Sequence, residues 1–277
     1  MTWLALPNAL LQGGALLLAG RATALLLRVD RMPDVASAML AERSRRIARV
    51  GGVLLVIGAL LRIGVTAWAM ADGEPLAPLV VAFTRDTWPG QGTALLAVAG
   101  ALVFATVRSW WMSGALLVVV ALLLAATGHA TEVAPAPLWI ALDATHAMGA
   151  LLWIGGLLVI APALRRSESG ALLARFAPIA LASAAAVVIT GAARVWRAVW
   201  PLEAWWRVPY GQLLLVKLAL VLLVIGLGAR NWRAHRGRQV LDAAVATRVH
   251  RRAQWELIAA SAVLLVTAWL GTTSPSD

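Results

Sequence analysis

The feature that most limits how this chain can fold is its succession of apolar runs long enough to cross a lipid bilayer. They lie at roughly 3–27, 47–71, 88–107, 111–128, 138–163, 174–199, 209–229 and 253–271, and a spanning helix needs about 20 residues. A bilayer interior offers no water to backbone N–H and C=O groups, so such runs become helices, whose hydrogen bonds are internal. A membrane barrel would show short alternating segments instead. Of the 277 residues, 61% are hydrophobic and 13% charged, far from the roughly 25% charged of a soluble domain. The expected fold is all-α: a single membrane domain over 1–277, a polytopic bundle of about eight transmembrane helices.

Charge orients the bundle. The formal net charge of +11 needs no nucleic acid to explain it, because the basic residues gather in alternate connections. Arg28, Arg31, Arg43, Arg45 and Arg46 follow the first run, and Arg108 separates the third from the fourth. Arg165 and Arg166 follow the fifth. Seven arginines from Arg230 to Arg252 lie between the seventh and eighth. The other connections hold Arg85, Arg207 or none. By the positive-inside rule the stretches 28–46 and 230–252 are basic cytoplasmic loops, and both termini are outside. The first residues lack a basic n-region and a cleavage site, so the first run reads as a retained helix. With no cysteine, no thiolate is available as nucleophile or soft metal ligand.

The less basic connections carry tryptophans at Trp68, Trp88, Trp139, Trp196, Trp200, Trp205, Trp206 and Trp269, as an interfacial belt does. Residues 200–206 read as a short interfacial helix. Pro89-Gly90-Gln91 opens the third run and Tyr210-Gly211-Gln212 the seventh, each after a helix carrying an arginine, Arg62 or Arg194. That faint echo suggests a four-plus-four parallel repeat, an arrangement that suits transporters.

Ionisable groups in hydrocarbon cost several kcal/mol and so face a partner, a cavity or a function. Arg21 is about two turns from a helix end and is expected to snorkel. Arg62 is too deep to do so easily. Asp143 and His146, three residues apart, share one helical face. Lys217 sits at a similar depth on the seventh run, so an Asp–Lys or Asp–Arg pair is one reading. A metal site is the other: His129, Glu132, Asp143 and His146 fall on one hairpin, imidazole suits copper and zinc, and an aspartate near a histidine can orient its ring. His235 and His250 are expected on a solvated basic face. The six methionines form no pair spaced to hold one ion.

Gly128-His129-Ala130, Asp143-Ala-Thr-His146 and Trp153-Ile-Gly155-Gly156 are followed by Arg175-Phe176, Thr190-Gly191, Tyr210-Gly-Gln-Leu-Leu-Leu-Val-Lys217 and Asn231. Over residues 128–231 this ordered set resembles the copper-resistance D (CopD) family of bacterial inner-membrane proteins. The resemblance implies a multi-pass protein of the plasma membrane that handles copper, as transporter or tolerance factor. It also implies His129 and His146 as motif histidines, with Asp143 beside them and Lys217 facing. A periplasmic copper-binding protein of the CopC type is the partner it implies, besides the bilayer. Residues 1–110 agree by layout only.

Two other readings stay open: an accessory subunit without transport of its own, and a haem-binding cytochrome using histidines as axial ligands. Haem is disfavoured because His146 lies about 10 Å deeper than His129. An enzyme is not expected. The chain has no H-E-x-x-H, no phosphate-cradling glycine loop and no activated nucleophile arrangement.

Overall fold

The structure, a computed structural model, describes residues 2–31, 35–128, 135–165, 169–198, 204–236 and 242–272. Among the described residues ten α-helices follow one another: α1 Ala5–Leu26, α2 Val35–Met70, α3 Leu76–Asp86, α4 Trp88–Thr106, α5 Trp110–Ala126, α6 Ala136–Ile160, α7 Ser169–Ala198, α8 Ala204–Arg207, α9 Pro209–His235 and α10 Ala243–Leu270. Seven are long and apolar enough to span a membrane, and α5, with 17 residues, is the shorter eighth apolar helix. The chain is therefore a multi-pass helical membrane protein, with α3 and α8 as short helices between spans.

The basic stretches differ from the loops expected. α2 begins at Val35 and α9 runs to His235, so most of 28–46 and part of 230–252 are helical extensions beyond the apolar runs. Glu42 pairs with Arg45 and Arg46 at 3.1 Å each on that extension, as charges three and four apart on a helix do.

Arg21 does not snorkel. Its side chain is fully buried and holds Asp30 through two nitrogens, at 2.9 and 2.6 Å. It also donates to the Ser44 hydroxyl at 3.1 Å and to the Val107 carbonyl at 2.8 Å. The reason is local. Arg28 takes the left-handed conformation, φ 57°, which ends α1 and turns Asp30 back toward it. One guanidinium thus ties α1, the short turn at 29–31, α2 and the end of α4. The Arg21 guanidinium beside Asp30 also holds its carboxyl below the usual carboxylate range.

Arg62 finds its partner at the far end of α5. It donates to the Thr127 carbonyl at 2.8 Å and lies 3.4 Å from the Thr127 hydroxyl, while the Trp88 indole donates to the Ala126 carbonyl at 3.0 Å. A cation on the last carbonyls offsets the negative end of the helix dipole. The turn that leads to His129 is anchored from α2 and α4. Arg62→Met is expected to cost about 2 kcal/mol, in the range for hydrogen bonds to charged groups, read as a lower thermal midpoint of the detergent-solubilised protein.

The repeat is stronger in the structure than in the sequence. Gln91 donates to the Arg85 carbonyl at 2.7 Å, and Gln212 to the Trp206 carbonyl at 3.0 Å. Each glutamine thus reaches back six residues to the short helix before its own. The string Gly-Ala-Leu-Leu-x-x-Gly occurs at 14–20 in α1 and again at 149–155 in α6. Equivalent glycines also do equivalent work. A Cβ on Gly14 would stand 2.7 Å from the Gly51 carbonyl of α2, and one on Gly149 would stand 2.8 Å from the Ser183 carbonyl of α7. Gly51 to Ser183 and Arg62 to Arg194 are the same step of 132 residues. The two halves meet at the other equivalent pair, where a Cβ on Gly20 would lie 2.8 Å from the Gly155 carbonyl. Small residues let backbones approach this closely in membrane bundles. By these matches α1, α2 and α4 correspond to α6, α7 and α9, and chain order alone pairs α5 with α10.

Candidate functional site

α6 and α7 run antiparallel, and their polar residues meet in register. Asp143 and His146 lie on one face of α6, and Thr190 and Arg194 lie one turn apart on α7. The Arg194 guanidinium is 2.9 Å from the Asp143 carboxylate, and His146 Nδ1 is 3.0 Å from the Thr190 hydroxyl oxygen. Close packing two turns deeper, where Gly149 meets Ser183, fixes this register. Gly191 clears space for the imidazole, since a Cβ there would stand 3.2 Å from His146 Cε1.

The hydrogens follow from the partners. The Thr190 hydroxyl donates to the Ala186 carbonyl of its own helix. Its one hydrogen is therefore committed, and the hydroxyl oxygen accepts from His146 Nδ1–H. The Val187 carbonyl also acts on the ring. From α9, Lys217 joins Arg194 in acting electrostatically on Asp143, and Tyr210 feels both members of the pair. One carboxylate, about 10 Å along α6 from its first turn at 1.5 Å per residue, thus feels cations of two different helices.

Of the residues expected at the site, Asp143, His146, Arg194 and Lys217 are brought together on α6, α7 and α9. Arg62 is elsewhere, on the end of α5. His129 and Glu132 lie outside the described residues, and among the described residues no group of three or more His, Asp or Glu side chains is placed to hold a metal. The expectation for His250 is corrected. It is 9% exposed, with Nδ1 2.9 Å from the Ala161 carbonyl and Nε2 accepting from Arg165 Nε at 2.9 Å. It joins α10 to the short 161–165 turn instead of facing solvent. Glu256, buried near the basic end of α10, escaped the sequence reading altogether. An acidic residue four positions into an otherwise apolar stretch was the available signal.

Fold and site together define a multi-pass helical membrane protein built from two similar halves, with a charged and imidazole-bearing cluster inside the second. Residues 170–270 match the family model described as Copper resistance protein D. The match covers α7 to α10 and includes Thr190, Gly191, Arg194 and Lys217. The chain is also 26% identical over 265 residues to the copper transport protein CutJ of Bacillus subtilis (strain 168), an alignment covering 87% of this chain and 47% of that relative. The chain thus spans about half the length of the curated relative it matches. No solved structure matches it.

Proposed function

We propose that this protein moves copper ions across the bacterial plasma membrane, with the α6–α7–α9 cluster as the point of entry. The observation that carries the reading is His146, locked by Thr190 beside the Asp143–Arg194 pair. With its hydrogen on Nδ1, the ring keeps the Nε2 lone pair for an ion. A hydrogen-bond acceptor behind a ligating histidine fixes its tautomer, and the Thr190 hydroxyl oxygen takes that place here. The match to a copper-resistance family and the name of the CutJ relative support copper as cargo. The duplicated four-helix unit supports transport, since repeats of this kind underlie alternating access in many carriers.

In this reading His129 and Glu132 complete the coordination from the loop between α5 and α6, and a periplasmic protein of the CopC type delivers the ion. Lys217 and Arg194 compete for Asp143. Exchange of the carboxylate between them is the gate that lets a cation pass two positive groups.

The test is the metal content and visible spectrum of detergent-purified protein, wild type beside His129→Ala/His146→Ala. Copper retained by the wild type and lost from the variant is the expected result. Thr190→Val, which removes the hydroxyl but not the volume, should weaken copper binding by about 10–100-fold, as lost support behind a metal ligand does. Equal copper in wild type and double variant would refute the site. A Soret band would replace it with the haem reading, and metal-free protein in both would favour an accessory subunit.

A further inference from the structure

We propose that Glu256, together with Asn231 and Trp153, forms a proton-binding site inside the basic half of the bundle. The site does not depend on copper as cargo, and it lies on the other side of Trp153 from the Asp143–His146 cluster, toward the basic ends of the helices.

Glu256 is 2% exposed. Its Oε1 accepts from the Trp153 indole at 3.0 Å and its Oε2 from Asn231 Nδ2 at 3.4 Å. Among the described residues no Lys, Arg or His comes within ion-pair distance of it. A carboxylate buried in a membrane bundle without a cationic partner marks a functional group, and proton relays are one established use. The second observation is Asn231 itself. It is 7% exposed, and its Oδ1 is buried with no hydrogen-bond partner. Both side chains line a partly open cavity of about 260 Å³ bounded by α6, α7, α9 and α10. Gly228 lets α9 close over them, since a Cβ there would stand 3.1 Å from the Trp153 ring and 3.3 Å from Glu256 Oε1.

One proton resolves the mismatch. With Glu256 ionised, the Asn231 amide donates to it and leaves its own oxygen unpaired. When a proton from water on the basic side binds Oε2, the amide turns over. The new O–H then donates to Asn231 Oδ1, and Nδ2 faces the cavity. Loss of the proton to the same water reverses the turn. Trp153 donates to Oε1 in both states, so the carboxyl group stays in place while its charge changes by one. A metal ion fits less well, because one carboxylate and one amide oxygen fall short of the coordination that hard or borderline cations require.

The charged groups around the site are named by element. α6 presents Trp153 and Leu157, and α7 presents Phe176 with leucines and alanines, none of them charged. α9 presents Arg233 on the cavity wall and Arg230, whose carbonyl takes a hydrogen bond from Arg252, one turn before Glu256 on α10. His250 and Arg165 pair with each other nearby. Among these groups Glu256 is the one carboxyl group and His250 the one imidazole.

The test is infrared difference spectroscopy of the full chain in phosphatidylcholine vesicles, between mildly alkaline and mildly acidic buffer. The carboxylic C=O stretch separates Glu256 from His250. The wild type should gain a buried carboxylic-acid band on acidification, and Glu256→Gln, which still accepts from Trp153, should lose it. Asn231→Leu should move the band to higher frequency, because the O–H loses its acceptor. An unchanged band in Glu256→Gln, or no band in the wild type, would overturn the proposal. Neither outcome bears on copper content, so this site and the proposed transport site fail separately.

Discussion

Asp30→Asn should destabilise the protein by about 3–5 kcal/mol, the range for removing one member of a buried ion pair, and should do so more than Arg21→Met. The asymmetry follows from exposure. Asp30 keeps 28% of its side chain in contact with solvent, and Arg45 stands 3.7 Å away to take over. Without Arg21 the carboxylate is left in a tolerable place, and methionine fills much of the space. Arg21 has no exposure at all. Without Asp30 its charge stays buried against one carbonyl and one hydroxyl. Arg21→Lys should not rescue, since an ammonium cannot meet two carboxylate oxygens, a serine and a carbonyl from one plane. Thermal unfolding of the purified variants in detergent ranks the three.

The same pair gives a pH signature. Because Asp30 titrates below its unfolded value of about 3.9, its contribution is fully present above that pH. It disappears as the pH falls through the lower folded value. The acid limb of the stability profile should therefore flatten in Asp30→Asn, while the profile from mildly acidic to neutral pH keeps its shape.

What could be read from the sequence depended on the distance over which each feature is encoded. The spans were legible because a bilayer demands a single property sustained over about 20 residues. The Asp143–His146 face was legible because helical spacing is local. Their partners on α7 lie 44 to 51 residues away and reach them through antiparallel register, which no local pattern records. Thr190 and Gly191 stood out only as part of a family-like string, and their roles as hydrogen-bond acceptor and space for the ring emerged with the contacts. Arg21 was misread because its partner lies beyond the helix end, behind a left-handed turn at Arg28 that a sequence does not announce for arginine. The Gly-Ala-Leu-Leu-x-x-Gly repeat was invisible for the opposite reason. In so apolar a chain such strings arise easily, and only the matching contacts of Gly14 and Gly149 give this one meaning. Glu256 sits beside Arg251, Arg252 and Trp255, where a span boundary disguises a buried acid.

Asp143→Asn should cost about 3 kcal/mol, the lower end of what breaking a buried pair costs, because Arg194 is 42% exposed and can partly relax. Arg194→Met should cost clearly less. The difference tests the three-way arrangement, not the pair alone. Removing Arg194 still leaves Asp143 the compensating charge of Lys217 on α9. Removing Asp143 leaves two cations on neighbouring helices with nothing between them, and like charges in a medium of low polarity repel strongly. Two double variants complete the argument. Asp143→Asn/Arg194→Met should recover much of the loss, because one of the two repelling cations is gone. Arg194→Met/Lys217→Met should be worse than the sum of its single variants, because each lysine or arginine covers for the other only while one remains. Such non-additivity, measured as a double-mutant cycle on thermal stability, is the signature of a shared carboxylate. Strict additivity would mean that Lys217 never engages Asp143, and the exchange of partners proposed as the gate would lose its physical basis.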